Sequence, residues 1–239
     1  MSLLSDSELE RYNRQLIIPE IGEPGQEKLR NAAVLVIGAG GLGSPVLMYL
    51  AAAGVGTIGI VDHDEVQPGN LQRQILYDTG DITRPKADAA AERITDINPL
   101  ITVRTYPVRF VQENAAELLQ GYDIAVDCTD NFASRYLLSD ATRAAGIPMV
   151  YGAVSQFMGQ ISVFNYRGGP SYRDLYPEET RDAADATPSE QGVIGALPGI
   201  IGSYQACEVI KIITGAGDVL SGRLLQADAL NVRTEIIAF

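Results

Sequence analysis

The sequence predicts an α/β fold with a mainly parallel sheet, helices on both faces and an extension of antiparallel strands at one end. Three observations predict it. Val34-Leu35-Val36-Ile37 is a short, unbroken apolar run of the kind found in parallel strands covered on both faces. A glycine-rich turn, Gly38-Ala39-Gly40-Gly41-Leu42-Gly43, follows at once, and then a small-residue helix from about Ser44 to Ala53. A second apolar run, Thr57 to Val61, ends in Asp62, about 20 residues beyond the last glycine. Such a unit brings backbone close to a phosphate and aims the positive end of a helix at it, while the acid accepts from ribose hydroxyls. The pattern favours a nucleotide without saying which.

The same stretch has no charged residue between Arg30 and Asp62, which raises the question of a membrane span. Seven glycines and Pro45 within it argue for a buried strand-helix-strand unit instead. With 46% apolar residues in 239 and no low-complexity linker, the chain reads as one domain over residues 1–239. A formal charge of −12 argues against nucleic acid or an anionic membrane surface as the main partner, and any anionic substrate must meet a local cluster of cations. The acidic, polar N-terminus lacks a secretory pattern, and Cys128 and Cys207 read as reduced core residues, so a cytoplasmic protein is expected.

In chain order, Ser5 or Ser7 starts a helix that Tyr12-Asn13-Arg14-Gln15 closes, and Pro24 to Asn31 forms a second one. Residues 64–74 make a long polar connection of the kind that carries function. Thr83 reads as an N-cap, with Lys86 in the first turn of a helix to Ile97, where a cation opposes the helix dipole. Ile101 to Val108 is a strand, Glu113 to Gln120 a helix and Tyr122 to Val126 a buried strand ending in Asp127-Cys128-Thr129-Asp130-Asn131. Asp62 and Asp130 should therefore face one crevice beyond the strand ends. Phe132 to Ala145 is a helix, Pro148 to Tyr151 and Gly159 to Tyr166 are strands, and Arg167 to Leu197 reads as a mobile crossover loop. Gly199 to Ile213 is an apolar helix stopped by Gly215, and Arg223 to Ala229 with Val232 to Phe239 closes the sheet as an antiparallel pair.

Charge chooses between nucleotides. A dinucleotide's pyrophosphate can be met by a glycine loop and a helix N-terminus, whereas a triphosphate usually needs lysine, arginine and a metal. Arg73 and Lys86 follow Asp62 closely, and Asp130 lies at a neighbouring strand end where it could hold Mg²⁺, which shifts the choice from NAD toward ATP.

Together, the glycine motif, Asp62-His63-Asp64, Asn70-Leu71-Gln72-Arg73-Gln74, Pro85-Lys86, Asp127 to Asn131 and Arg14 resemble the MoeB/ThiF/HesA family, relatives of the ubiquitin-activating enzymes with a Rossmann-like fold. Gly192-Val193-Ile194-Gly195 and the helix after it extend the resemblance over nearly the whole chain. The resemblance implies adenylation of the C-terminal glycine of a ubiquitin-like sulfur-carrier protein with a Gly-Gly tail, for molybdopterin or thiamine synthesis, with release of pyrophosphate. It implies ATP and Mg²⁺ as cofactors. It also implies that Gly38, Gly40, Gly41, Gly43, Asp64, Asn70 and Asn131 lie near the nucleotide, that Asp62 binds the ribose, that Arg73 and Lys86 contact phosphates and that Asp130 organises Mg²⁺. Arg14 would enter the neighbouring site of a homodimer. His63 is the only histidine, which suits a reaction whose nucleophile, a terminal carboxylate of pKa about 3.5, needs no general base.

The chain departs from the family at two places. Many members bind zinc through two Cys-x-x-Cys pairs, but here the first pair's positions are Ser171 and Asp174 and the second pair is missing, so no zinc is expected. Many members also carry a cysteine just before the Gly-Val segment, and here that position looks like Pro188, which puts a covalent thioester step in doubt and leaves adenylation untouched. The competing readings are a nicotinamide oxidoreductase, an inactive nucleotide-binding scaffold, and a related enzyme that adenylates a small-molecule or tRNA carboxylate.

Overall fold

The computed structural model describes residues 4–177 and 192–239. Pro188, which by resemblance stands where many members carry a cysteine, lies outside the described residues. The strands are β1 (Ala33–Ile37), β2 (Thr57–Val61), β3 (Thr102–Tyr106), β4 (Ile124–Asp127), β5 (Met149–Ser155), β6 (Met158–Phe164), β7 (Arg223–Asp228) and β8 (Arg233–Ala238). They form one sheet in the order β3-β2-β1-β4-β5-β6-β7-β8. The pairs from β3 to β5 are parallel and those from β5 to β8 antiparallel, the mixed arrangement expected from the sequence.

Alternation along β1 builds two cores. Val34 and Val36 face one side, packing with helix α4 (Gly43–Ala53), α5 (Lys86–Ile97) and the helix Ala196–Thr214 through Leu47, Leu50, Ile94 and Ile201. Leu35 and Ile37 face the other side, which holds α6 (Gln112–Leu119) and α7 (Phe132–Ala145) through Leu118, Tyr136 and Leu138. Both faces of the central strands β1, β2 and β4 are covered, so these strands need no polar side, whereas the edge strand β8 is exposed along its length. No helix among the described residues is long and apolar enough to cross a membrane.

Several local expectations change. The first helix breaks into α1 (Asp6–Arg11) and α2 (Asn13–Leu16) around Tyr12, which is buried and receives a hydrogen bond from Asn98 at 2.8 Å. Ser5 caps α1 in a reciprocal box with Glu8. A third helix, α3 (Gly22–Asn31), leads into β1. Thr83 is not the cap of α5: its φ is 74°, and Pro85 occupies the cap position without a side-chain bond. The β3 strand is shorter than Ile101 to Val108 and β5 longer than Pro148 to Tyr151. The expected crossover loop contains α8 (Tyr172–Leu175), whose Tyr172 is fully buried among Tyr136, Tyr151, Phe164 and Tyr176. The last helix, α9, begins at Ala196, three residues before Gly199. Its Cys207 is exposed, contrary to the core reading, whereas Cys128 is buried.

Candidate active site

The carboxyl ends of β1, β2 and β4 open into one cavity of about 680 Å³. Its floor is the glycine turn. Gly38 has a φ of 97°, a value side-chain-bearing residues rarely adopt, and an added Cβ there would lie 2.6 Å from the Cys128 carbonyl oxygen. Gly43 opens α4 so close beneath the turn that a Cβ would lie 2.2 Å from the Gly38 oxygen. Neither an acidic residue in the first turn nor a side-chain cap offsets the positive end of α4.

Asp62, at the end of β2, accepts from the Ala39 N–H (2.8 Å) and the Asp64 N–H (2.9 Å), fastening the acidic strand end to the glycine turn. Tyr77 supports the turn from below: its buried hydroxyl donates to the Ala39 carbonyl at 2.7 Å and lies 3.2 Å from that of Lys86. Burial raises the Tyr77 pKa far beyond its usual range, so the phenol stays a neutral donor.

Cations converge on this floor. Lys86 is the first residue of α5, only 5% exposed, with Nζ 2.9 Å from Asp64 Oδ2. Burial raises the Asp64 pKa, but the hydrogen bond and charge of Lys86 outweigh it and hold the carboxyl below its ordinary value. Arg73 donates to the Gly69 carbonyl (3.1 Å), and its stem borders Gly41, whose added Cβ would lie 3.6 Å from Arg73 Cγ. Gln74 is buried against Gly40 and its Oε1 has no partner.

Gly38, Gly40, Gly41, Asp62, Asp64, Arg73, Lys86, Asp130 and Asn131 thus line one cavity. Three expected residues do not. Gly43 acts through helix packing, since its Cβ position is filled by backbone. Asn70 turns its Oδ1 back to the Gln67 N–H (3.0 Å) in a short 3-10 turn. Arg14 is exposed on α2, away from the lining of its own chain. Asn131, rather than Asp130, caps α7, accepting from the Ser134 N–H at 2.9 Å. Asp130 remains exposed, with a hydrogen bond of 3.3 Å from Asn131.

Among the described residues, Asp62, His63 and Asp64 bring possible ligand atoms within 4.8 Å of one another. They fit a dication poorly: Asp62 already holds two backbone N–H groups and Asp64 is paired with Lys86. Asp130 fits better, as an exposed oxygen donor lining the same cavity as Arg73 and Lys86. Ser171 and Asp174 fit no zinc ion, because Asp174 accepts from both the N–H and the hydroxyl of Ser171 at 2.7 Å in a capping box that opens α8.

Sequence reasoning missed the supports. Tyr77 carries no motif, and Arg109, whose Nη2 lies 2.8 Å from His63 Nε2 at the cavity rim, sits in a plain loop. The same His63 nitrogen lies 3.3 Å from Asp64 Oδ1, so Arg109, His63 and Asp64 meet at the cavity rim. Arg135, one turn beyond Asn131, is buried beside the cavity.

The fold and site define an α/β protein of the Rossmann-like class whose cavity brings Arg73 and Lys86 to a glycine turn. Residues 12–239 match the ThiF family model, and the chain belongs to that family. It is 49% identical over 228 residues to a sulfur carrier protein adenylyltransferase of Thermus thermophilus, covering 93% of this chain and 84% of that protein. It is 51% identical to the probable adenylyltransferase/sulfurtransferase MoeZ of Mycobacterium tuberculosis, covering 97% of this chain and 60% of that one. A probable molybdopterin-synthase adenylyltransferase of Porphyra purpurea is 49% identical, with 95% and 60% covered. The chain therefore spans most of the Thermus protein and about three-fifths of the other two. Two solved structures share the fold: PaaA (TM-score 0.84, 22% identity, covering 100% of this chain and 75% of that chain) and E. coli MccB with ATP (0.85, 19%, 95% and 71%).

Proposed function

We propose that this chain uses ATP to adenylate the C-terminal carboxylate of a ubiquitin-like sulfur-carrier protein, serving molybdopterin or thiamine synthesis. The chain is an adenylyltransferase. The observation that carries the reading is the convergence of buried Lys86 and of Arg73 on a glycine floor in a protein of net charge −12. Burying an ammonium is costly, and a single exposed aspartate is a modest return for it. A polyphosphate supplies the missing negative charge.

In the reaction a carboxylate oxygen of the carrier bonds to the α-phosphorus, and the bond from that phosphorus to the bridging oxygen of the β-phosphate breaks. The electron pair leaves with pyrophosphate. The nucleophile is already ionised, so these residues serve by positioning and neutralising charge. Arg73, Lys86 and the glycine turn hold the phosphates, Asp62 holds the ribose, and Asp130 and Asn131 line the same cavity. Mg²⁺, held through Asp130, would supply further neutralisation of the polyphosphate. Residues 1–239 act as one adenylation domain in a cytoplasmic homodimer, with Arg14 completing the partner's site. The exposed position of Arg14, outside its own cavity, supports that assignment.

The test is ATP–pyrophosphate exchange with purified carriers ending in Gly-Gly. Carrier-dependent exchange, lost when the last glycine is removed, is the expected result. Exchange that depends on a small carboxylic acid or a tRNA instead would reassign the substrate, and ATP binding without any exchange would favour a scaffold.

A further inference from the structure

Behind the cavity floor, Asp127 Oδ2 and Arg135 Nε are both buried without a hydrogen-bond partner, 3.9 Å apart. Their remaining atoms grip one residue. Asp127 Oδ1 accepts from the N–H (3.0 Å) and the hydroxyl (2.7 Å) of Thr129, and Arg135 Nη2 donates to the Thr129 carbonyl at 3.3 Å. Thr129 is therefore held at both ends of its backbone, and the next residue is Asp130. On the far side Asn131 is fixed by its cap bond to Ser134. Asp130 thus sits exposed between two anchored neighbours. The guanidinium is itself held against the Phe132 and Tyr151 rings, 5.5 and 5.6 Å from their centroids.

We propose that Arg135, with Asp127, is a positioning residue that clamps Thr129 and so aims the Asp130 carboxylate into the nucleotide cavity; this deepens the adenylation reading and rests on it. Stability alone is a poor reason for the pair. Two ions taken out of water at this separation recover little of their desolvation cost, and an apolar pair of equal volume usually serves as well or better. What the apolar pair cannot do is hold both the N–H and the C=O of Thr129.

The test compares Arg135→Met, Arg135→Lys and the double variant Asp127→Leu/Arg135→Met with wild type. Four quantities are read: unfolding midpoint, ATP affinity by calorimetry, kcat and KM for ATP in carrier-dependent pyrophosphate exchange, and amide hydrogen exchange at residues 129–131. Arg135→Met should lower kcat by about 10- to 100-fold, because small misplacements of reacting groups cost that much, while KM for ATP stays within about threefold. The amides of 129–131 should exchange at least about tenfold faster, with β1 and β4 still protected. Arg135→Lys should recover part of kcat. The double variant should fold with a midpoint near wild type and show the same kcat loss, which separates aiming from folding. Unchanged kcat and unchanged local exchange would overturn the proposal, as would a loss of protection spread evenly over the sheet. If wild type itself catalyses no exchange, the adenylation reading falls, and the hydrogen-exchange comparison still decides whether the clamp exists.

Discussion

Substituting alanine for single glycines of the turn should separate those that build the floor from those that admit the ligand. At Gly43 the new Cβ would lie 2.2 Å from the Gly38 carbonyl oxygen and 3.0 Å from its carbon, both backbone atoms. A tolerated C···O approach is about 3.3 Å, so the gap must open by about 1 Å. No flexible side chain can absorb this, and α4 must move away from the turn. Overpacking of this kind costs about 2 kcal/mol, which for a chain of this length lowers the unfolding midpoint by about 4–8 °C. At Gly40 the nearest atom is the Gln74 Nε2 at 3.5 Å, an ordinary contact on the cavity side. Gly40→Ala should therefore keep its midpoint within about 2 °C and lose ATP affinity, because the methyl occupies space where a phosphate must approach. The assays are calorimetric unfolding and ATP titration on the same preparations. Equal destabilisation by both substitutions, or none by Gly43→Ala, would refute the division.

Lys86→Ala and Arg73→Ala should each lower pyrophosphate exchange by roughly 10²-fold or more with the fold intact, the usual cost of a lost transition-state contact; wild-type rates would show the role misassigned. Alkylation should label exposed Cys207 and spare buried Cys128 without loss of exchange, and zinc by elemental analysis should be substoichiometric. Ser5's backbone N–H, aided by its hydroxyl and Arg30 and opposed by burial, holds the Glu8 pKa below its usual value. Its contribution to stability is thus complete above about pH 4.3 and is lost as pH falls through the depressed folded value, a slope that Glu8→Gln should flatten in acid titrations of the midpoint. Mixing equal amounts of Arg14→Ala and Asp130→Ala proteins should restore about a quarter of wild-type exchange after subunit reassortment, since about half the dimers then hold one intact site of two; no recovery after confirmed reassortment would place Arg14 outside the partner's site.

The residues that sequence reading placed well are those whose role is dictated by local chain geometry. A buried strand followed by glycines and a small-residue helix leaves few other foldings, so Gly38, Gly40, Gly41 and Asp62 fall at the cavity by construction. Lys86 was legible for an electrostatic reason. A lysine at the start of a helix opposes the dipole, and the structure resolves that conflict with Asp64 at 2.9 Å and near-complete burial at the cavity floor. Asn70 shows the limit of spacing as a guide. Its motif position is consistent with ligand contact, yet its carboxamide closes its own 3-10 turn, a choice among hydrogen-bond partners that sequence leaves open.

Supports such as Tyr77 and Arg135 were illegible because their partners are main-chain carbonyls distant in sequence or hidden by burial: Ala39 lies 38 residues from Tyr77, and no side-chain pattern marks a carbonyl as needing a donor. The same reasoning explains why the sequence shows Ser171 and Asp174 where a thiolate pair was looked for but not what those two residues do there. Ser171 and Asp174 keep the spacing of a ligand pair, but that spacing also closes a capping box, and the ring cluster around Tyr172 then supplies apolar contact where a metal would supply bonds. Aromatic burial is additive over many weak contacts, whereas a metal site fails when one ligand is lost. In this chain α8 is anchored by that ring packing, with Ser171 and Asp174 closing its first turn.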